Sequence, residues 1–288
     1  MKPIAVSKSQ PSKHSRTNAH ARQTVRVSSD LCYENAHGLV ESISTLLATE
    51  RPEQVLVDLA QVGMIDSSGL RALLQSRKLC EEAGVGLELA CVPECVGRII
   101  NMSGFGSVFG LPGLQIRETN SQIASDVEFD ALGWKISEHV AASDPSVIAI
   151  LRGKVRDAAI EAGARDDVLC DIQIAAGEAL TNAYKHGSPM KGENKITLRC
   201  MSCGKALVIE VEDEGTEFDP CATSDPDPKQ MRECGMGIYL MRQAMDAVDF
   251  TTGCHGNKVR MVKWLDAAVE SAERVDEEPL PMQLRLLG

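Results

Sequence analysis

Residues 178–187 read "EALTNAYKHG" and close a longer segment, "VLCDIQIAAGEALTNAYKHG", whose apolar residues recur with the period of an α-helix. Gly187 predicts the end of that helix. Glu178 and Asn182 are four residues apart, so both side chains leave the helix on the same face. A carboxylate placed there can orient or deprotonate a hydroxyl, and an amide oxygen can ligate a hard cation such as Mg²⁺. Taken alone, the pair is more typical of a solvated polar face.

Two later stretches change that weighting. "ALVIEVEDEG" predicts a strand that ends at Asp213 and Gly215. An acid at a strand end can accept a hydrogen bond from an exocyclic amine, and a glycine lets the backbone approach a ligand. Gly235 and Gly237 then open a predicted helix, "GIYLMRQAMDAVDF", and helix N-termini suit phosphate groups. Three weak signals in a fixed order together indicate a nucleotide site.

The stretches "EALTNAYKHG", "VEDEGTEFDP" and "GMGIYLMRQAMD" resemble the successive boxes of GHKL-type ATPases. The likeness is strongest to the anti-sigma factor serine/threonine kinases and covers about residues 130–265. It implies that ATP and Mg²⁺ are the cofactors, that Glu178 is the general base and that Asn182 is the metal ligand. It also implies that Asp213 reads the adenine amino group, that residues 221–234 form a mobile lid, and that three glycines shape the pocket: Gly215, Gly235 and Gly237.

The chain departs from that family pattern at two positions. Glu217 stands where many members have a second glycine, and Asn257 replaces a threonine before the last strand. Arg152 and Arg156 are both candidates for an arginine that assists the phosphates. None of the six histidines has the setting of a phosphate-accepting histidine, and His186 is predicted to be a cap or packing residue.

The stretch "MIDSSGL", residues 64–70, raises a second question. Asp66, Ser67 and Ser68 precede a predicted helix, and one interpretation is that they only cap its free N–H groups. However, residues 55–104 resemble the STAS domain of anti-sigma factor antagonists. That resemblance implies that Ser67 is a phosphoacceptor, with Ser68 as the alternative. A phosphate is compatible with a helix N-terminus because it faces the positive end of the helix dipole.

The periodicity and the two resemblances predict an α/β protein of two domains. The first is a STAS-like sheet covered by helices. The second is a GHKL, Bergerat-type sandwich of a mixed sheet and a helix layer. Before Asp30 the chain has six basic residues and no acid, which is typical of a disordered arm and shared by organelle transit peptides. The predicted segments are a basic arm (1–23), a STAS domain (24–117), a linker (118–129), a kinase domain (130–266) and a tail (267–288).

The bulk composition excludes several classes of protein. A formal charge of −11 argues against nucleic-acid binding. No apolar run approaches the ~20 residues of a membrane span, and no secretory signal is visible, so we expect a cytoplasmic protein that does not contact a membrane. The ten cysteines favour reduced thiols over a disulfide framework. Cys200 and Cys203 form a CxxC, which is either half of a zinc knuckle or two free thiols in a hairpin turn.

Together these features predict an ATP-dependent serine/threonine kinase fused to a phosphorylatable antagonist domain, acting in partner switching of a sigma factor. The implied partners are a sigma factor, a STAS antagonist protein and a serine phosphatase, and a homodimer is compatible with the sequence. The alternative is a non-catalytic scaffold that binds nucleotide only to set its shape. The sequence leaves open whether the modified serine lies in the same chain, in a second copy or in another protein.

Overall fold

The computed structural model describes residues 5–7, 22–113, 134–187, 193–216, 235–253 and 256–265. The predicted linker (118–129), the predicted lid (221–234), Glu217 and the predicted tail (267–288) lie outside these residues. The domain boundaries therefore remain predictions. In the part of the chain that is described, no helix has the length and apolar character needed to cross a membrane.

The first domain is a four-stranded sheet, ordered β1-β2-β3-β4, with helices packed against it. Strands β2, β3 and β4 are parallel, and β1 pairs antiparallel with β2. Val55 and Val57 alternate along β3 and are fully buried, so the sheet presents an apolar face to the helices. The bounds are β1 Ala5–Ser7, β2 Arg22–Arg26, α1 Ala36–Thr49, β3 Gln54–Asp58, α2 Ser67–Glu82, β4 Gly86–Ala90 and α3 Glu94–Met102.

The structure differs from the predicted disordered arm. Ala5–Ser7 form a strand whose residues pair with Thr24–Arg26, and β2 itself begins at Arg22. A short edge strand obtains its order from backbone hydrogen bonds to a distant neighbour, which local composition does not reveal. The other residues of the predicted arm, 1–4 and 8–21, lie outside the described part of the chain.

The second domain is a five-stranded sheet, ordered β5-β6-β7-β9-β8, covered by three helices. Every pairing in it is antiparallel, so the predicted mixed sheet is wrong in that detail, while the α/β class is confirmed. Short connections between β6 and β7 and between β8 and β9 require antiparallel neighbours. The bounds are β5 Lys135–Ala142, α4 Pro145–Glu161, α5 Asp166–Lys185, β6 Lys195–Ser202, β7 Ala206–Asp213, α6 Met236–Ala244, β8 Ala247–Gly253 and β9 Gly256–Trp264.

Helix α6 is shorter than the sequence predicted. It ends at Ala244, Met245 is extended, and residues predicted as its last turn begin strand β8. Val248, Phe250 and Thr251 have branched or aromatic side chains that favour a strand, and pairing with β9 outweighs the helical period of the apolar residues.

Helix α5 lies between the two domains. From Asp171 to Leu180 every residue except Gln173 is buried, because α5 packs on its own sheet on one side and on the first domain on the other. Buried apolar residues of the two domains form one continuous cluster. A helix that is buried on both sides can shield polar side chains from water. Asp171 and Glu178 of α5 are shielded in this way.

Candidate active site

Glu178 is the most enclosed acid of the site. It lies in the middle of α5 and is 1% exposed. Burial, followed by the nearby charge of Asp66, raises the pKa of Glu178 to about 7, while hydrogen bonds from Ser67 and the charge of Lys185 act in the opposite direction. A carboxyl group with a pKa near neutrality can both accept and release a proton at physiological pH.

The predicted acceptor serine contacts this acid directly. The Ser67 hydroxyl donates to Glu178 Oε2 at 2.8 Å, and the Ser67 N–H donates to Glu178 Oε1 at 2.5 Å. Both groups are available because Asp66 alone caps α2, accepting from the N–H groups of Ser68 and Gly69. The capping interpretation therefore holds for Asp66 and not for the Ser67 side chain. We call the pairing of Ser67 with Glu178 the acceptor contact.

Ser68 has a different environment. Its hydroxyl accepts a hydrogen bond from Lys185 Nζ at 2.8 Å. Lys185 Nζ also lies 4.3 Å from the centre of the Tyr33 ring, a cation–π distance. Burial lowers the pKa of Lys185, against the opposing effect of the charges of Asp66 and Glu178. Ser68 thus faces a cation, whereas Ser67 faces the acid. Lys185 lies within the stretch "EALTNAYKHG", but no local signal in the sequence singles it out, because its partner Ser68 is in the other domain.

Asn182 lies one turn beyond Glu178, and both residues adjoin Gly237. A Cβ atom at Gly237 would lie 2.6 Å from Glu178 Oε2 and 3.5 Å from Asn182 Nδ2. A glycine at position 237 therefore lets the start of α6 approach α5 without displacing the Glu178 carboxylate. Gly235 is the N-cap of α6 with φ of 90°, a left-handed conformation that favours glycine. The structure brings these four predicted residues together.

Asp213 and Gly215 form a second group, at the end of β7. Asp213 Oδ1 accepts from the Gly215 N–H at 2.9 Å and from Asn257 Nδ2 at 3.0 Å. Within the described residues, the buried Asn257 Oδ1 has no hydrogen-bond partner. A Cβ atom at Gly187 would lie 2.1 Å from Asp213 Cγ. Asn257 is therefore a buried residue with an unpaired acceptor, and it lies beside the Asp213 carboxylate. Together these two groups fit a ligand that carries hydrogen-bond donors.

Gly187 was expected to end α5 as a cap. The helix ends at Lys185, His186 is its C-cap residue as predicted, and Gly187 does not have a positive φ. The absence of a Cβ is instead required by the close approach of Asp213.

The two candidate arginines lie apart. Arg152 Nη2 is 3.5 Å from Asp30 Oδ2 and 2.7 Å from Met64 Sδ, both in the first domain. Arg152 also lines a cavity of about 790 Å³ beside the acceptor contact, together with Asp66 and Thr181. Arg156 is exposed. Arg152 is therefore the arginine that lies close to the acceptor contact.

A cluster of charges joins the first half of α5 to α3. Arg98 Nε donates to Asp171 Oδ1 at 2.6 Å, Arg98 Nη2 donates to Asp171 Oδ2 at 3.1 Å, and Arg98 Nη1 donates to Asp167 at 2.8 Å. Lys263 Nζ binds the same Asp171 at 3.0 Å. We call these four residues the Arg98 cluster. Sequence analysis missed it, because no spacing links α3 to α5.

The CxxC cysteines are separate from this site. Cys200 is buried within β6 rather than in the turn, and burial raises its pKa to about 12. Cys203 follows the end of β6 and is partly exposed. In the described ranges, no group of three or more His, Cys, Asp or Glu residues is arranged to hold a metal ion.

A STAS-like sheet that presents a serine to the buried glutamate of a GHKL-like domain defines the class of protein: a STAS domain fused to a histidine-kinase-like ATPase domain. The family model of the STAS domain matches residues 14–123, and that of the histidine kinase-like ATPase domain matches residues 141–263. Through its second domain the chain belongs to the family of RsbW serine-protein kinases.

The relatives match most of their own length. The serine-protein kinase RsbW of Bacillus subtilis (strain 168) is 30% identical over 148 residues, which are 47% of this chain and 86% of the relative. That of Bacillus pumilus (strain SAFR-032) is 32% identical over 145 residues, 46% of this chain and 85% of the relative. A crystal structure of RsbU and RsbW domains from Mycobacterium tuberculosis aligns at 16% identity with a TM-score of 0.36. It covers 46% of this chain and 32% of that chain, a likeness too distant to carry an argument.

Proposed function

We propose that this chain is an ATP-dependent protein serine kinase whose acceptor is the serine of a STAS domain. The observation that carries the proposal is the acceptor contact, in which a serine hydroxyl lies 2.8 Å from a buried carboxylate. Membership of the RsbW family supports the same reaction. A scaffold that only binds nucleotide does not require a serine hydroxyl hydrogen-bonded to a buried carboxylate. The non-catalytic alternative is therefore not favoured.

The residues around the acceptor contact fit Mg-ATP, which supplies the phosphoryl group when it is bound. Asp213, with the unpaired acceptor of Asn257 nearby, suits the donors of an adenine ring. Gly215 and Gly237 keep backbone close to the site without side-chain obstruction, and Gly235 provides the left-handed turn that begins α6. Asn182 would be a protein ligand of Mg²⁺, a cation that is commonly held by few side chains and by substrate phosphates.

In this proposal Glu178 orients the hydroxyl and removes its proton. Oε1 accepts the Ser67 N–H and so fixes the carboxylate, while Oε2 accepts the hydroxyl proton as the oxygen bonds to the γ-phosphorus. The bond between that phosphorus and the bridging oxygen breaks, and ADP leaves with the electron pair. Most of the rate acceleration would come from positioning and charge neutralisation.

The biological setting that we propose is partner switching of a sigma factor in the cytoplasm. The partners would be a sigma factor, a STAS antagonist and a serine phosphatase, with this chain acting as a monomer or a homodimer. The RsbW family and the STAS match support this setting.

The proposed reaction is tested by the intact mass of the protein before and after incubation with Mg-ATP. The wild-type chain should gain one phosphate group, and peptide mapping should place it within residues 64–70. Ser67→Ala should not gain it, and Ser68→Ala, which removes the neighbouring hydroxyl, should still do so. An unchanged wild-type mass would overturn the proposal, and a phosphate on Ser68 would correct the acceptor.

A further inference from the structure

We infer that the kinase domain phosphorylates the STAS domain of its own chain, and that this docked domain excludes other STAS proteins from the site. The inference rests on the proposed kinase function and adds the identity of the substrate. It is carried by three separate contacts along α5, each of which joins the two domains of one molecule.

The first is the acceptor contact itself. Ser67 presents its hydroxyl and its N–H to the two oxygens of one carboxylate without any rearrangement of the chain. Lys185 holds the neighbouring Ser68 from the same helix. The register of α2 on α5 is therefore fixed at two consecutive residues.

The second is the Arg98 cluster. The two hydrogen bonds from Arg98 to Asp171 are bidentate, a geometry that gives direction as well as strength. The Arg98 side chain is 16% exposed and that of Asp171 is 6% exposed, so the pair is nearly removed from water. Asp171 also accepts from Lys263 of its own domain. Loss of Arg98 would leave this buried acid with one fewer cation.

The third is the insertion of Met64 beside Gly177. A Cβ atom at Gly177 would lie 2.5 Å from Met64 Cε, and Met64 is 4% exposed. Glycine in the middle of a helix is less favourable than alanine, and at this position it leaves room for a buried side chain of the other domain.

These contacts exclude other STAS proteins because the first domain covers the same part of α5 that such a protein would have to reach. Asp171, Gly177 and Glu178 lie along the part of α5 that the first domain covers. A separate STAS protein can reach Glu178 only after the resident domain has left. The chain therefore acts on itself before it acts on another protein.

The test mixes two full-length variants, one of them isotopically labelled so that their masses differ. The Glu178→Gln variant retains the acceptor Ser67 but lacks the proposed base. The Ser67→Ala variant retains Glu178 but has no hydroxyl to accept the phosphate. With Mg-ATP, the wild-type chain should be modified at a first-order rate that is independent of protein concentration. In the mixture, Glu178→Gln should stay unmodified over the same time.

A third variant tests exclusion. Ser67→Ala combined with Arg98→Glu should expose the surface of α5 around Glu178 that the first domain covers, which we call the kinase face. This double variant should modify Glu178→Gln at least tenfold faster than Ser67→Ala alone does. Ser67→Ala combined with Arg22→Glu, a charge change at an exposed arginine of the same domain, should not. Transfer in the first mixture at the wild-type rate, or equal rates for the Arg98 and Arg22 variants, would overturn the inference while leaving the kinase proposal intact. A wild-type chain that gains no phosphate would overturn both.

Discussion

The two halves of helix α5 contact the same neighbouring domain in different ways. Near its start, Asp171 is held by two cations, with Arg98 bound through two hydrogen bonds. Seven residues later, about 10 Å along the axis, Glu178 accepts two hydrogen bonds from a neutral serine. The charge of Asp171 is thus compensated by direct ion pairs. Glu178 instead has neutral donors as its direct partners, one of which is a hydroxyl with a proton that can be transferred.

Under the proposed function, this difference means that docking and chemistry are separate along one helix. Charged contacts position the first domain, and contacts to neutral donors lie where the phosphoryl group would be transferred. Substitutions in the two halves should therefore change different measurements.

The largest effect should come from Glu178→Gln, which keeps the shape of the side chain and removes the proton acceptor. The rate of phosphoryl transfer should fall by roughly 10²–10⁴-fold, with little change in ATP affinity. Single-turnover kinetics and equilibrium ATP binding provide the two measurements. An affinity loss as large as the rate loss would show that Glu178 holds nucleotide or structure instead.

The pH dependence should give the next largest effect. Because the reaction needs the carboxylate, the single-turnover rate at subsaturating ATP should rise with pH and level off above about 7, the pKa of Glu178 in the folded protein. Between pH 5 and pH 7 the rise should be about 50-fold, because the deprotonated fraction of a group with this pKa increases from about 1% to about 50%. A rate independent of pH across this window would contradict the base assignment.

Stability should change in the opposite direction over the same window. The pKa of Glu178 is raised from 4.5 to about 7 on folding, so the folded protein binds this proton more tightly than the unfolded chain does. The free energy of unfolding should therefore fall as the pH rises from about 4.5 to about 7, by about 3 kcal/mol from this residue. Urea unfolding at several pH values measures it, and Glu178→Gln is the control that should lack this contribution.

Arg98→Ala tests the docking half of α5. The hydrogen bonds of a charged group contribute about 1.5–3 kcal/mol, so the ratio of docked to undocked protein should fall about 10–100-fold. Hydrogen exchange of the peptide containing residues 64–70 reports this ratio, because the Ser67 N–H is bonded to Glu178 only in the docked state. Arg22→Ala should leave that exchange unchanged. Protection of the peptide that survives Arg98→Ala would show that the cluster does not hold the domains together.

The smallest effect should come from Asn182→Ala. Loss of one neutral ligand should weaken ATP binding about tenfold in the presence of Mg²⁺ and leave binding without Mg²⁺ unaffected. Isothermal titration with and without the metal measures both values. Equal affinities of the variant and the wild-type chain in Mg²⁺ would contradict the metal assignment.

The sequence predicted the elements whose signals are local. Neighbouring residues are enough to place Glu178 and Asn182 on one helix, to place the glycines at the start of α6 and to predict that Asp66 caps α2. The acceptor role of Ser67 was predicted from the family resemblance instead. Family resemblance then predicted the order of the two domains, which the family matches confirm. The boundary between α6 and β8 was wrong because the apolar residues of "MDAVDF" suit a helix or a strand, and pairing with β9 decides between them.

The contacts between the domains could not be predicted in the same way. Arg98 and Asp171 are far apart in the sequence and share no motif, and Met64 meets Gly177 only once both domains have folded. Such contacts depend on the relative placement of two surfaces, for which a single sequence contains no periodic signal. Lys185 belongs to the same group, since its partner Ser68 lies in the other domain.

Ser67 lies beside two acids, Glu178 and Asp66, and this position would govern what happens to the domain after the proposed phosphorylation. A phosphoserine carries about −1.5 to −2 charges at neutral pH. In the docked state that charge would lie beside Glu178 and Asp66, with Lys185 as the cation that adjoins Ser68. Like charges confined in a buried site repel strongly, so the product should be a far weaker ligand than the substrate was. Each chain would then release its own STAS domain after a single phosphoryl transfer. The phosphate would remain on the released domain, and the kinase face would become accessible to another partner.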